Sequence, residues 1–504
     1  MPMLWFAVHL PWLSLEAFAA TLTAEQRRRP LALLAEHQIQ AVNAAASDAG
    51  VKPGLKRATA LALAPELLLG QADATRDAQA LQAVVHTALA FTPSVALDGG
   101  TVLLEVASCL RYFGSADALL QRLRAALQPL GHRVQIAGAA TALGAALLAR
   151  WRDDLADGPQ RTQLPALQAL LDQAPVWLLG PGREHWEALQ GMGLRHLADL
   201  RCLPRAGLAR RFGEDLLDDL DRARGTRPDP RVWLSAPERF RARLELAFRA
   251  DRSDQVLHGA ALLLAPLVAW AQARQARVQA FTLHMHHEAR HRAGTPTPPV
   301  TELRIELAEP AVDIAHLQLL LRERLARVEL AAPTLELQLH CHEVVQQAAP
   351  NAELFPTRQS EQAGLVRLIE RLRARLGDDQ VLRLQPVADH RPEQACRVVP
   401  ALSAQAAVPV PAAGGAWPHT RPVWLLPQAQ PLAERQAMPL FEGRALQLLA
   451  GPERIETGWW DGGLATRDYF IAQAADGSLV WVYRARLPVT DEATPLWFLQ
   501  GRFG

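Results

Sequence analysis

Lysine is almost missing from this chain of 504 residues: Lys52 and Lys56 are the only two among 53 basic side chains, and the rest are arginines. Arginine is the better planar donor for phosphate and carboxylate, but a GC-rich genome produces the same bias, so the imbalance alone does not indicate nucleic acid. Net charge is also nearly absent, since 52 acids leave +1. That excludes a global pull toward DNA, membrane or acidic substrates, and any such surface has to be local. Cysteine is scarce: Cys109, Cys202, Cys341 and Cys396 lie far apart with no CxxC pair. This excludes a disulfide framework and fits a reducing cytoplasm. No run of the ~18 apolar residues that a membrane helix needs is free of charge or proline. The apolar start, Met1–Leu15, has no basic region and carries His9 and Pro11, so it is not expected to be a signal peptide. Walker loops, GxGxxG, HExxH and nucleophile elbows are missing too, which removes the commonest nucleotide, metalloprotease and hydrolase sites.

What is present is length and pattern. At ~100–200 residues per domain, this chain predicts three or four domains. Leu4–Val8 reads as a buried strand, followed by a short helix from about Ser14 that ends by the Arg27–Pro30 break; Leu31–Leu34 and Ala41–Val42 read as short strands. Asp73–Leu89 has helical periodicity, Val95–Val106 reads as two strands around Gly99-Gly100, Ala116–Leu127 as a helix, and Val134–Ala137 as a strand leading into helix Leu143–Arg150. This β-α-β-β-α-β order predicts a mostly antiparallel sheet with helices on one side. From Pro175 to Arg231 the chain reads as short helices, and Gly191 and Gly193 permit a tight turn that could offer backbone N–H groups to a phosphate, or be a plain helix–helix turn. Arg201–Arg252 holds 13 arginines and 9 acids, a local +4.

A second β-α-β-β-α-β series follows, from Leu244 through helix Leu262–Ala276 to Leu335–Cys341. Its other face carries Arg243, Arg249, His284, His286, Arg304, Gln338, His340 and His342, with no helix expected to cover it. His284, His286, His287 and His291 with His340, Cys341 and His342 could approach one another, but no spacing matches a closed zinc motif, and a polar sheet surface is the simpler reading. Neither metal nor cofactor is expected. Residues 400–430 are rich in Pro, Ala and Gly, and the block from Gly451 to Phe503 predicts a tryptophan-rich β meander with a hairpin at Asp476-Gly477.

The order of parts resembles the Y-family translesion DNA polymerases over roughly residues 4–345: a ferredoxin-like palm with small fingers, a helix-hairpin-helix thumb and a β-α-β-β-α-β little finger. More closely, it is similar to the polymerase-like component of bacterial damage-inducible mutagenesis cassettes. The stretches that carry this are Leu4–Phe18 (LWFAVHLPWLSLEAF), Ala49–Leu55, Leu110–Gly114, His390–Glu393, Gly451–Glu456, Gly458–Asp461, Arg467–Tyr469 and Trp497–Leu499. The resemblance implies an α+β multidomain chain: palm 1–170 with fingers at about 17–75, thumb 171–234, little finger 235–345, a clamp-peptide and helical segment 346–400, a linker 401–430, and a β-rich tail 431–504.

It also implies where catalysis would sit, and there the sequence departs from the family. The paired aspartates of the first strand are replaced by His9 and Pro11, the hairpin keeps Asp98 but has Gly99 for its acidic partner, and Ala44, Ser47 and Leu143 stand at the triphosphate-contacting positions. Two Mg²⁺ ions need several fixed carboxylates, so a degenerate, non-catalytic site is expected. The resemblance implies instead a hub in SOS mutagenesis that joins damaged primer-template DNA, the sliding clamp, a RecA-like protein and the alpha subunit of an error-prone replicative-type polymerase, in the cytoplasm on the nucleoid. DNA would be held by Gly191, Gly193, Arg243, Arg249, His284, His286, Arg304 and His340. The clamp would take Asn351-Ala352-Glu353-Leu354-Phe355, where Leu354 and Phe355 are apolar anchors, or else Gln436–Phe441.

Overall fold

The computed structural model describes residues 3–23, 25–288, 299–346, 358–402, 421–486 and 496–503, and the side chains of 358–363 are left aside. It divides into two units, Met1–Arg375 and Leu376–Gly504. In the first, strand Trp5–His9 lies between Thr101–Glu105 and Gln135–Ala139, antiparallel to both, with Val95–Asp98 at the edge. Alternation sends Phe6 and Val8 to one face and Trp5, Ala7 and His9 to the other. Both sets are apolar enough to demand cover. Phe6, Val8, Val102, Leu104 and Ile136 pack under helices Ala74–Leu89 and Ala116–Leu127. Ala7, Ala96, Leu103 and Ala137 pack under helix Ala142–Trp151.

The expectation of helices on one side is therefore corrected. Small residues on the second face let an alanine-rich helix sit close on the strands. Thr141 caps that helix by accepting from Gly144 N–H at 3.1 Å. Any Cβ on Gly144 would come within 3.0 Å of the Ala223 carbonyl, so glycine lets the helix Glu214–Arg224 cross it closely. The first helix is also shorter than expected. It runs Leu13–Ala20, well before the Arg27–Pro30 break. A small separate sheet, ordered Gln38–Val42, Leu31–Ala35, Leu68–Gln71, completes the inserted segment.

Short helices form the connector, among them Trp186–Gly191, Leu197–Arg201, Arg205–Phe212 and Glu214–Arg224. Leu189, Leu197, Leu208, Leu216 and Leu220 join them to the core beneath Ala142–Trp151. The second sheet is ordered Val300–Ala311, Ala276–His287, Thr334–Gln346, Phe240–Ala250, all antiparallel. Helices Ser253–Ala273 and Ile314–Leu325 cover one face. The former starts at Ser253 rather than Leu262, because Gln255 Oε1 accepts the 251 and 252 N–H groups and fixes its first turn. By length and composition this helix could cross a membrane. Here it is core, packed on its own sheet and against Ala74–Leu89.

In the second unit, seven antiparallel strands are ordered Arg444–Ala445, Met438–Phe441, Trp424–Arg435, Trp497–Arg502, Leu479–Ala485, Ala465–Gln473, Gln447–Thr457. The last four form the expected meander, turning at Asp476-Gly477. Two expectations are corrected. A strand begins at Trp424, inside the stretch expected to be linker, and Leu382–Pro386 pairs with Cys396–Pro400 as a hairpin that no sequence pattern announced. Pro427, Gln428, Gln430 and Pro431 hid the first by breaking the apolar period.

Candidate functional site

His9, Asp98 and Thr101 share the face of the first sheet that meets Ala142–Trp151, because His9 pairs with Thr101 and Thr101 with Asp98 across neighbouring strands. His9 Nδ1 lies 3.2 Å from Thr101 Oγ1. Arg150, at the end of that helix, donates from Nε to Thr101 Oγ1 at 3.0 Å and pairs with the Asp98 carboxylate. Arg231 reaches Asp98 Oδ1 from the other side at 2.8 Å and also binds Asp229 at 2.6 Å. Burial alone would raise the Asp98 carboxyl, but Arg150 and Arg231 outweigh it and hold it below the usual carboxylate range. His9 is pushed down to about 4, first by burial and then by Arg150 and Arg183. It is neutral at pH 7.

A cavity of about 470 Å³ opens beside these groups, lined also by Asp219, Arg222 and Asp229. Its two further acids, Asp219 and Asp229, were not foreseen, since they lie more than a hundred residues from Asp98. Asp219 is raised, chiefly by burial and in part by Asp98, and is paired with Arg222 at 3.1 Å. Glu105 cannot join them. It sits at the far end of its strand, where its Oε1 accepts the Ala107 N–H. The residues present do not fit a two-metal centre: Asp98 is held by two guanidinium groups, Asp219 pairs with Arg222, Asp229 shares Arg231 with Asp98, and among the described residues no group of three or more His, Cys, Asp or Glu is arranged to hold a metal ion. Leu143, expected near a triphosphate-contacting position, donates its backbone N–H to Asp229 Oδ2 at 3.2 Å.

Protein ImuB of Caulobacter vibrioides is 30% identical to this chain over 475 residues, covering 90% of this chain and 100% of that protein. The chain belongs to the ImuB family. ImuB from a second Caulobacter vibrioides strain matches equally. Residues 14–150, which include the inserted segment and most of the first sheet, match the impB/mucB/samB family. Among solved structures, a Dbh ternary complex with partially disordered substrates aligns with 67% of this chain and 98% of that one, at 14% identity and a TM-score of 0.37, an overlap too loose to build on.

The DNA-facing candidates of this ImuB-family chain look different in three dimensions. Gly193 does adopt φ +80 in the turn between Trp186–Gly191 and Leu197–Arg201. The expected open N–H groups are nevertheless taken, which corrects the phosphate reading of Gly191 and Gly193. The 192, 193 and 194 N–H groups close the C-terminal carbonyls of the preceding helix. Those of Arg195 and His196 donate to Asp199 Oδ2 at 2.8 and 2.9 Å. The bonds from His196 and Arg195 hold the Asp199 carboxyl low. A carboxylate of the chain itself thus takes the two N–H groups that precede Leu197–Arg201.

On the second sheet, Arg243, His284, His286, Arg304 and His340 share the uncovered face, and their charges are answered there. Arg243 pairs with Glu336 at 2.6 Å, Arg249 with Glu288 at 2.7 Å, and Arg304 binds Glu343 through two bonds at 2.6 and 2.7 Å. His284 faces Glu302 at 3.5 Å and lies tilted against His340, ring centres 4.4 Å apart. Burial, then His284, Arg241 and His286, lowers His340. The signal missed is alternation itself, because Glu302-x-Arg304-x-Glu306 puts both signs on one face. Of the 13 arginines in Arg201–Arg252, nine sit in ion pairs. Arg210, Arg211, Arg239 and Arg241 are exposed and make none among the described residues.

The clamp candidate Asn351–Phe355 lies outside the described residues. The alternative, Gln436–Phe441, is built into the sheet. Gln436 and Ala437 take φ +52 and +62 in a two-residue hairpin turn. Met438–Phe441 pairs with Trp424–Arg435, and Phe441 packs on the tail core. Leu440 and Phe441 are both half-buried there.

Proposed function

We propose that this chain is a non-catalytic, Y-family polymerase-like adaptor in SOS-induced translesion synthesis. It holds DNA and partners while another polymerase supplies the chemistry. The observation that carries the reading is the clamping of Asp98 between Arg150 and Arg231, since a metal pair at that place would have to displace two guanidinium groups from this carboxylate. Primer extension with the full-length chain, Mg²⁺ or Mn²⁺ and all four nucleotides tests it. No extension is expected; templated incorporation that Asp98→Ala abolishes would overturn it.

A second reading, an active low-fidelity polymerase, draws on Asp219 and Asp229 lining the same cavity as Asp98. The same assay with Asp219→Asn and Asp229→Asn decides it. If these acids hold metal, each change removes extension.

The adaptor reading takes as partners damaged primer-template DNA, the sliding clamp, a RecA-like ImuA protein and the error-prone replicative-type alpha subunit, in the cytoplasm on the nucleoid. For DNA, the unpaired Arg210, Arg211, Arg239 and Arg241 are the favoured phosphate contacts. For the clamp, the hairpin position of Gln436–Phe441 favours Asn351–Phe355. Replacing Leu354 and Phe355 by alanine is expected to abolish clamp binding in a surface-immobilised assay. Undiminished binding would transfer the role elsewhere.

A further inference from the structure

Helix Arg358–Leu376 has two apolar aspects, and only one is used. Its inner side joins the second-sheet core through Ala374, and buried Glu370 accepts the Ala308 N–H and meets His316 Nε2 at 2.9 Å. On the outer side Leu365, Leu368, Leu372 and Leu376 stand 56%, 53%, 37% and 52% exposed. Their spacing of three, four and four residues draws one stripe along the helix. The first three, at i, i+3 and i+7, follow the heptad spacing of a helix-pair seam. Beside the stripe, one helical turn apart, run Arg367, Arg371 and Arg375. Arg367 is spoken for by Asp313 at 3.6 Å. Arg371 and Arg375 have no ion-pair partner among the described residues. Over 364–376 the only acid is the buried Glu370, so nothing exposed on the described part of this helix balances them.

We propose that this stripe docks an amphipathic helix of a partner protein, with leucine-type residues on its seam and glutamate or aspartate flanking it. Charge complementarity selects that occupant. A second copy of this chain would bring arginine against arginine across the seam, and nucleic acid would match the arginines but leave the leucines facing water. The surface is separate from the degenerate cavity and does not depend on whether that cavity is inactive.

The test titrates full-length protein against a labelled four-heptad peptide carrying Leu at its seam and Glu at its flanks, followed by fluorescence anisotropy, with a Lys-flanked peptide as control. The Glu peptide is expected to bind, and the Lys peptide to bind about tenfold or more weakly. Leu368→Gln with Leu372→Gln is expected to weaken the Glu peptide by about tenfold or more. Arg371→Glu with Arg375→Glu is expected to reverse the peptide preference. These residues are exposed, so unchanged thermal melting of each variant shows that folding is not the cause. Equal binding of both peptides, or binding that ignores the leucine changes, overturns the proposal. So does a dimer in light scattering that the leucine changes dissolve, which would assign the stripe to a second copy. Binding to phosphatidylserine vesicles without peptide binding would overturn it in favour of a lipid surface. Absence of peptide binding together with hydrogen-exchange protection of 365–376 in the chain alone would mean that the chain covers its own stripe.

Discussion

The first sheet presents Ala7, Ala96 and Ala137 to helix Ala142–Trp151, whereas the second, built in the same β-α-β-β-α-β order, presents Arg243, His284, Glu302, Arg304 and Glu336 to solvent. Side-chain volume and charge on alternate residues decided whether a helix could settle there. Where the helix settled, it brought Arg150 onto Asp98 beside the cavity. Where none settled, arginine and glutamate paired across the strands in the open. Similar ion pairs thus serve as lock in one sheet and as solvated surface in the other, and their energetics should differ accordingly.

The strongest way to break this contrast is to place one charge on each second face. Ala7, fully buried, has no partner for a carboxylate. Ala7→Asp is expected to cost more than about 3 kcal/mol, enough to prevent stable folding. Thr282→Asp, at the matching open face between Arg304 and His340, is expected to change stability by less than about 1 kcal/mol. Urea denaturation of both variants measures the difference, and similar losses would mean that the second face is covered after all.

Removing one acid from each kind of ion pair sharpens it further. Asp98→Asn leaves Arg150 and Arg231 close together in a largely buried site, and about 2–4 kcal/mol should be lost. The loss should show locally. Residues 229–234 are tied down by Arg231, by Leu234 N–H on the Val95 carbonyl at 2.8 Å, and by Trp233 stacked on Trp5. Hydrogen exchange there should speed up in the variant. Glu336→Gln, whose partner Arg243 is more than half exposed, should cost less than about 1 kcal/mol.

These contrasts also explain what could be read from sequence. Strand and helix periods marked both sheets, since Phe6/Val8 and Leu337/Leu339 announce themselves by alternation. The second face of the first sheet was illegible because alanine is neither a strong apolar signal nor a polar one. Arg150, Arg231, Asp219 and Asp229 meet Asp98 only through tertiary closure, so no local pattern marked them. The strand Trp5–His9 was legible, because its apolar run is local. The strand at Trp424 and the taken N–H groups around Gly193 were not, as both depend on which neighbour supplies or claims a hydrogen bond.

A smaller effect comes from pH. His9 and His86, both in the first-sheet unit, are pushed to about 4, in each case first by burial, while an unfolded histidine titrates near 6.5. The unfolded chain then binds more protons between those values, so stability is held above about pH 6.5 and declines as pH falls toward 4. Asp98, held low by its arginines, adds a loss only below about pH 4, where the unfolded carboxylate takes up a proton before the folded one does. His9→Asn with His86→Gln should flatten the slope of urea midpoint between pH 6.5 and 4.5. An unchanged slope would shift the cause to the second-sheet histidines.

The finest distinction is between arginines that are committed and those that are not. Arg243 and Arg304 already hold carboxylates, so a phosphate must first compete with Glu336 and Glu343. Arg210, Arg211, Arg239 and Arg241 face no such competitor. In DNA titrations across a range of salt, Arg210→Gln with Arg211→Gln should lower the steepness of log affinity against log salt by roughly one for each phosphate no longer neutralised. Arg243→Gln with Arg304→Gln should move it by less, since removing either cation also releases a glutamate, which repels the backbone only where DNA actually passes. If the second pair proves to matter more, DNA runs across the open sheet and breaks those bridges on binding, and its binding would then grow tighter when Glu336 and Glu343 are changed to glutamine.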